Sequence, residues 1–543
     1  MGIMGKRLNL KWVTDEIGDS YKEWKKGDIV TIKAQTGTGK TYFIKNVMIR
    51  NIEDYEKMLL ICNRINLKRQ LKKDLFDYYN IPIPKTFKEL DEVQTIGNVT
   101  IMSYQSIAEL KNCEEYGQAE LNLNVYDYII CDECHFFLSD SSFNNKCDLA
   151  FDELIRCRHR NAIKIFISAT IDEVEQTIIK SVDDIKATGF GSYSDCKIHK
   201  YDTNIDYSYL DIKYFKDIKD IIQLIKNDKK EDKWLVFVTN KEKGSKMLEE
   251  LKGICNCSFI TKDTKIDKCD DLKGIINSSK FNSKVLICTK AMDNGINIKD
   301  EQVKNIVIMS YDKTTFIQEL GRLRFDIDNA PSINLYIPTY NYSTFNTISE
   351  KIIANKQKKI DEFNEDRNAF NRNYRRNYKE LPHDIFIISK DGNFEINLNG
   401  FGRFSKDKSF IEDMINRFEN FKLAYINEQL SWLELEETFD QSNLIEDVIE
   451  DSSISGMEDR LNELFGRVFL MKPDRNPVIE AIGLIDSHNS ILKENKIVYF
   501  SSLISLNDYL QSANSNYRIK QFETSRMIEG KKKKFKQAWK LIK

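Results

Sequence analysis

This chain is short of several things, and each shortage narrows what it can be. Its 543 residues contain no apolar run long enough to cross a bilayer, and no charged-then-apolar segment opens them. No membrane contact is expected, and the default compartment is the cytoplasm. Charge is nearly balanced, at −2 from 82 basic and 84 acidic side chains, so any nucleic-acid surface has to be a local patch. All 11 cysteines lie at or before Cys288, which leaves residues 289–543 without a thiol. Cys131 and Cys134 have the spacing of half a zinc site, but no second pair at that spacing answers them. The 5 histidines are scattered, and no acid–lysine cluster suggests a nuclease. The length leaves room for about three to four domains, each able to bury a core.

What is present begins with Ala34-Gln35-Thr36-Gly37-Thr38-Gly39-Lys40-Thr41. The apolar run Ile29–Lys33 before it reads as a buried strand, and Tyr42–Val47 after it starts a helical pattern. Strand, glycine-rich loop and helix together make a phosphate cradle, in which backbone N–H groups and the helix N-terminus face the anion. Thr36, Gly37, Thr38 and Gly39 would line it, with Lys40 placed for the β- and γ-phosphates and Thr41 for a bridging Mg²⁺. The strict motif is missed by one residue, since Ala34 stands where glycine is usual.

Strand-like runs then alternate with helical stretches to about residue 202, which predicts a parallel α/β sheet. Lys57–Cys62 ends in Asn63-Arg64, and Val99–Ser103 in Tyr104-Gln105-Ser106. Tyr128–Cys131 delivers Asp132-Glu133-Cys134-His135, and Ala162–Ile167 delivers Ser168-Ala169-Thr170. Each polar cluster follows the carboxyl end of a strand, where open α/β sheets bind ligands. A carboxylate there can hold Mg²⁺ through its waters while its neighbour polarises an attacking water, so Asp132 and Glu133 are the candidate metal ligand and general base.

The ordered set AQTGTGKT, ICNRINLKRQ, DECH and SAT resembles the first motor domain of superfamily 2 helicases of the DExH type. Trp234–Asn240 is similar to their motif IV, Val285–Lys290 running on through Gly295 and Asn297 to motif V, and Gln318–Arg324 to motif VI. The resemblance covers residues 28–340 and implies two tandem RecA-like domains, 1–202 and 203–345, with ATP and Mg²⁺ between them. It implies that Thr36–Thr41 and Gly295 bind nucleotide, that Thr41 and Asp132 hold the metal, and that Glu133 is the base. His135, Ser168 and Thr170 would couple nucleotide state to the nucleic-acid track. Gln318 and Arg322 would reach in from the second domain, Arg322 as an arginine finger whose fixed charge grips two oxygens at once. Arg64, Thr289 and Thr100 would touch the nucleic-acid backbone.

Two positions depart from the family pattern. Arg324 follows Arg322 by two residues rather than three, with Phe325 in the usual place. This shortened GRxR form resembles that of viral and mobile-element replication helicases, and it makes Arg324 a candidate second finger. Asn297 stands where many members carry Asp. A base-reading glutamine motif is missing before the phosphate loop, which leaves Trp24 or Tyr21 either to stack on the base or to serve as core.

The second domain shows five strand-like runs, around Val236, Phe259, Leu286, Val307 and Leu335. Residues 346–543 read as a mostly helical accessory region that could also take a protein partner. In it, 349–380 interleaves Phe363, Phe370, Tyr374 and Tyr378 with Arg367, Arg372, Arg375 and Arg376, which suits either a nucleic-acid groove or a packed helix with a solvated face. Ile385–Ile396 reads as a hairpin about Asp391-Gly392, and 434–459 as an acidic linker or exposed helix. Lys531, Lys532, Lys533 and Lys534 beside Gly530 read either as the tip of a basic hairpin resembling the wing of a winged-helix domain, or as a solubilising tail.

Together these point to an ATP-dependent helicase that translocates on and unwinds nucleic acid, DNA in preference to RNA, in replication of a phage or mobile element. The alternatives are a non-unwinding DNA translocase of a defence or repair complex, an RNA helicase, and a catalytically idle binding scaffold.

Overall fold

The computed structural model describes residues 6–62, 65–115, 121–139, 147–156, 161–187, 196–289, 297–389, 391–445, 457–458, 460–471, 473–481, 503–512, 515–528 and 531–543. Seven strands form the first sheet. They are β1 (Ile29–Lys33), β2 (Met58–Ile61), β3 (Thr95–Ile96), β4 (Val99–Met102), β5 (Tyr128–Asp132), β6 (Ile163–Ser168) and β7 (Ile198–Asp202), in the order β3-β4-β2-β5-β6-β1-β7. All neighbours are parallel except β3 with β4. Successive residues enter opposite cores: Val30, Leu60, Ile130 and Ile165 go to one face, and Ile29, Leu59, Ile129 and Phe166 to the other. Burial on both faces is why, apart from Thr31 and Lys33 of β1, Asp132 of β5, and Lys164 and Ser168 of β6, strands β1, β2, β5 and β6 are built of apolar residues. Each such side chain contributes roughly 1.5–3 kcal/mol.

The second sheet holds β8 (Leu210–Phe215), β9 (Lys233–Phe237), β10 (Cys257–Ile260), β11 (Val285–Cys288), β12 (Val303–Ile308) and β13 (Ile333–Pro338). It is parallel throughout, in the order β10-β11-β9-β12-β13-β8. Five of these six strands coincide with the runs named above. The sixth, β8, lies at the sheet edge beside β13, and its alternating Leu-Asp-Ile-Lys-Tyr-Phe is a weaker strand signal than a fully buried run.

The chain divides into two compact units, Met1–Asp440 and Gln441–Lys543. The first therefore takes in nearly half of the region beyond 345. Helix Ala424–Trp432 packs on the second motor domain, where Tyr425 Oη donates to the Ser310 carbonyl at 3.2 Å and Gln429 Nε2 to that of Pro338 at 2.9 Å. The Asp391-Gly392 hairpin is present as β14 (Phe386–Ile388) and β15 (Phe394–Ile396), antiparallel, with Gly392 at φ 74° in the turn. Phe363 and Phe370 are buried against Phe386, and Phe370 also against Phe394, so these rings are core rather than a stacking surface.

The second unit closes a core of Met457, Leu461, Leu506, Leu510, Tyr517 and Trp539 under an antiparallel sheet. Its strands are β16 (Val468–Phe469), β17 (Arg518–Ile528) and β18 (Lys531–Ile542), in the order β16-β18-β17. The basic run is thus a strand rather than a tail, and Trp539 is 2% exposed with the Arg475 guanidinium 4.1 Å over its ring. No described helix is long and apolar enough to cross a membrane.

Candidate active site

Three neighbouring strands of the first sheet end together. Lys33 of β1 is in register with Ser168 of β6, and Asp132 of β5 with Ile167. Two bonds carry the pairing past the strands: Ala34 N donates to the Ser168 carbonyl at 3.0 Å and Cys134 N to that of Ile167 at 3.1 Å. The phosphate loop, the acidic turn and the SAT turn are therefore held side by side by backbone.

In the loop, Gly37 and Gly39 take left-handed φ values of 99° and 86°, which glycine reaches without strain. Gly39 has a second constraint, since a Cβ there would stand 3.1 Å from Trp12 Cε3. Thr38 is buried and donates from Oγ1 to the Gln35 carbonyl at 2.7 Å, closing the loop on itself. Lys40 opens the helical stretch that runs on through Phe43–Met48, whose wider π-type turns recur at functional sites. Thr41 is exposed beside it.

Glu133 follows the buried Asp132 and sits at φ 53°, a conformation that costs a non-glycine residue about 1–3 kcal/mol. That turn swings its carboxylate into the cleft. Glu133 Oε1 is 3.5 Å from Lys40 Nζ, and Oε2 is 3.3 Å from His135 Nδ1. The buried Tyr104 Oη donates to the Asp132 carbonyl at 3.0 Å and braces the turn from below. Cys131 and Cys134 are fully buried behind it, and burial raises the Cys131 thiol to about 12, so neither offers a thiolate to zinc.

His135 is the junction. Its Nδ1 lies 2.8 Å from Ser168 Oγ, and its Nε2 is hydrogen-bonded to Gln318 Nε2 from the second domain. With the Gln318 amide donating, the imidazole proton sits on Nδ1, facing Ser168 and Glu133. Ser168 Oγ in turn accepts from Thr170 N at 3.1 Å. A continuous polar chain thus joins the acidic turn of one domain to helix Lys313–Leu320 of the other.

The residues after that helix face the phosphate loop. A Cβ on Gly321 would stand 2.7 Å from Thr36 Oγ1. Arg322, only 1% exposed, shares a small enclosed pocket with Thr36, Glu133, Thr170, Gln318 and Arg324. Arg324 Nε donates to Asn297 Oδ1 at 3.1 Å, so the residue that departs from the family pattern in motif V meets the displaced arginine of motif VI. Glycine cradle, Lys40, buried guanidinium and paired carboxylates are a donor set that fits a polyphosphate with its divalent ion. Thr170, on the wall of the same pocket, has its buried Oγ1 without a hydrogen-bond partner and is a further candidate donor.

Two protein-family models match the motor. Residues 10–173 match the model for the res subunit of type III restriction enzymes, and residues 215–325 match the helicase conserved C-terminal domain. The chain carries the tandem motor of superfamily 2 helicases. An uncharacterised helicase candidate of Acanthamoeba polyphaga mimivirus is 26% identical over 196 residues, which are 34% of this chain and 18% of that protein. The match thus spans less than a fifth of that relative's length. Among solved structures, S. cerevisiae Dbp5 bound to RNA and ADP BeF3 is 18% identical at a TM-score of 0.41, over 60% of this chain and 82% of that one. The Mycobacterium smegmatis helicase Lhr, bound to ssDNA and AMP-PNP, is 12% identical at 0.39, over 71% and 58%. Alignments this loose leave the fold of the motor resting on its own strand order and register.

Several expected residues fall elsewhere in the motor or outside what is described. Arg64 and Gly295 lie outside the described residues. Thr289 follows β11 directly, its N–H on the Ile260 carbonyl at 3.2 Å. Thr100 is buried and bonded to Thr95 Oγ1 at 2.9 Å, so its hydroxyl is committed to the sheet and a nucleic-acid contact is not supported. Trp24 is core: it is 6% exposed, its indole donates to Tyr201 Oη at 3.1 Å, and Tyr21 packs edge-on against it. The ring that does stand at the phosphate loop is Trp12, 37% exposed, on the wall of a cavity of about 630 Å³ with Arg324 and Phe325. It lies far upstream of any motif, and its meeting with Gly39 is purely tertiary. Gln35, a residue of the phosphate loop, is fastened to the inter-domain connection. Its Nε2 donates to the Asp206 carbonyl at 3.0 Å, and its Oε1 accepts from Asp206 N at 2.8 Å. Lys532, Lys533 and Lys534 are exposed on β18.

Proposed function

We propose that this protein is an ATP-dependent nucleic-acid helicase that hydrolyses ATP between its two motor domains, translocates on DNA and unwinds it. The observation that carries the reading is the single cleft at which Lys40, Glu133, His135, Gln318 and Arg322 meet from both domains. In it, Lys40 and the loop N–H groups hold the β- and γ-phosphates. Thr41 and Asp132 would hold Mg²⁺, which supplies charge neutralisation where the γ-phosphoryl group leaves. Glu133 orients and deprotonates the attacking water. Arg322 meets the developing charge on the transferring group, and Arg324, tied to Asn297, sets the angle at which motif VI enters. The His135–Gln318 contact ties these events to the relative position of the domains, and Arg64 and Thr289 are the candidate contacts to the nucleic-acid backbone.

Hydrolysis measured without nucleic acid and with single-stranded DNA, duplex DNA or RNA tests this directly. Stimulation by single-stranded DNA above RNA is expected, and equal rates in all four conditions would sink it. The match to a restriction-enzyme subunit favours a second reading, a translocase that moves along duplex without opening it. In that case duplex DNA stimulates hydrolysis and no strand is displaced.

Trp12 is proposed to take the base that no glutamine motif reads. Trp12→Ala should raise the KM for ATP about tenfold, within the range of base–aromatic stacking, and leave kcat near its starting value. An unchanged KM would make Trp12 a packing residue of the loop.

A further inference from the structure

Strands β17 and β18 carry nine basic side chains between them, and Glu523 is their one acidic residue. Their register sets like charges directly opposite each other twice: Lys520 faces Lys540, and Arg526 faces Lys533, all four exposed. Directly opposed like charges destabilise a ladder. Lys534 is different, being paired with Glu523 at 2.7 Å. Ile519, Trp539 and Leu541 face the core of the unit, Phe522 and Ile542 are half-buried, and among the described side chains of the two strands Met527 is the exposed large hydrophobic one. Past the shift in register between Phe522 and Thr524, β18 has no apolar residue beyond Phe535, and Arg526, Lys532, Lys533 and Lys534 are exposed there. Repulsion concentrated in this way is relieved by a polyanion. Among the described side chains this surface is basic and polar, with Met527 exposed and Phe522 half-buried, too little apolar area for membrane insertion, so the polyanion it fits is a sugar-phosphate backbone.

We propose that the β17–β18 hairpin is a sequence-independent docking surface for nucleic-acid backbone, and that its contacts are the opposed pairs Lys520/Lys540 and Arg526/Lys533 rather than the lysine run as such. The inference rests on the nucleic-acid reading above and extends it to the second unit. The test uses the full chain without nucleotide, so its result does not depend on whether the cleft hydrolyses ATP. Binding to a single-stranded DNA oligonucleotide is followed between about 50 and 200 mM salt. The double variants Lys520→Ala/Lys540→Ala and Arg526→Ala/Lys533→Ala should each flatten the slope of log affinity against log salt by about 1.4, from two phosphate contacts at roughly 0.7 each. Glu523→Ala should steepen it by releasing Lys534. The same double variants should raise the unfolding midpoint of the free protein, because each removes a repulsive pair, so a flatter slope cannot be laid to misfolding. Unaltered slopes in both double variants overturn the proposal. So does a loss confined to binding of phosphatidylserine vesicles, which would make the hairpin a lipid-headgroup surface.

Discussion

Replacing Glu133 with glutamine abolishes turnover while nucleotide stays bound. Glutamine matches the carboxylate in shape and keeps the oxygen that faces Lys40, but it cannot take the water's proton. Positioned general bases contribute about 10²–10⁴-fold, and kcat should fall by that much with the nucleotide Kd nearly unchanged. Lys40→Ala gives the opposite pattern, weakening nucleotide binding because it removes the cation 3.5 Å from Glu133 that faces the phosphates. Stopped-flow binding of a fluorescent nucleotide beside steady-state hydrolysis separates the two. The turn adds a control. With Glu133 at φ 53°, Glu133→Gly relieves backbone strain and deletes the base, so it should fold at least as well as wild type and still hydrolyse nothing. A Glu133→Gln protein turning over at the wild-type rate removes Glu133 from the chemistry.

Arg322→Ala should lower kcat on the order of 10³-fold with little change in nucleotide affinity, the signature of a group that acts on the transition state. Because the side chain is buried, truncation also leaves a void, and the unfolding midpoint has to be measured alongside. Arg322→Lys separates the effects. It keeps charge and most of the volume but loses the planar fork, so a finger predicts a large kcat defect in a fully stable protein. Full activity in Arg322→Lys would leave Arg322 a structural role. Arg324→Ala should do less damage, since Arg324 is held by Asn297 through a hydrogen bond of 3.1 Å, and a defect as large as that of Arg322→Ala would make it a second finger.

Much of the motor could be read from sequence because its chemistry is local. A phosphate cradle needs glycines at left-handed positions directly after a strand, and Gly37 and Gly39 are there. Strands buried on both faces need mostly apolar runs, and β1, β2, β5 and β6 have them, with Thr31 and Lys164 as buried exceptions. These requirements act within a few residues, so spacing alone exposes Lys40, Asp132, Glu133 and Ser168. Edge strand β8 is harder to read, because half-exposed alternation is a weaker signal than full burial.

What sequence could not decide depended on contacts between distant residues. Trp24 and Trp12 are equally aromatic in the sequence, yet one is locked by Tyr201 into the core and the other stands against Gly39. Phe363 and Phe370 sit among arginines in the chain, but packing against Phe386 turns them inward. The family motifs imply that His135 and Gln318 belong to one machine, but only the approach of two sheets puts them in hydrogen-bond contact. In the basic hairpin, composition supplied the charge and register supplied its meaning, since which lysine opposes which is set by the pairing of strands. Phosphate binding by a loop is encoded within about eight residues, while burial, pairing and domain contact are settled by parts of the chain that meet only when it folds.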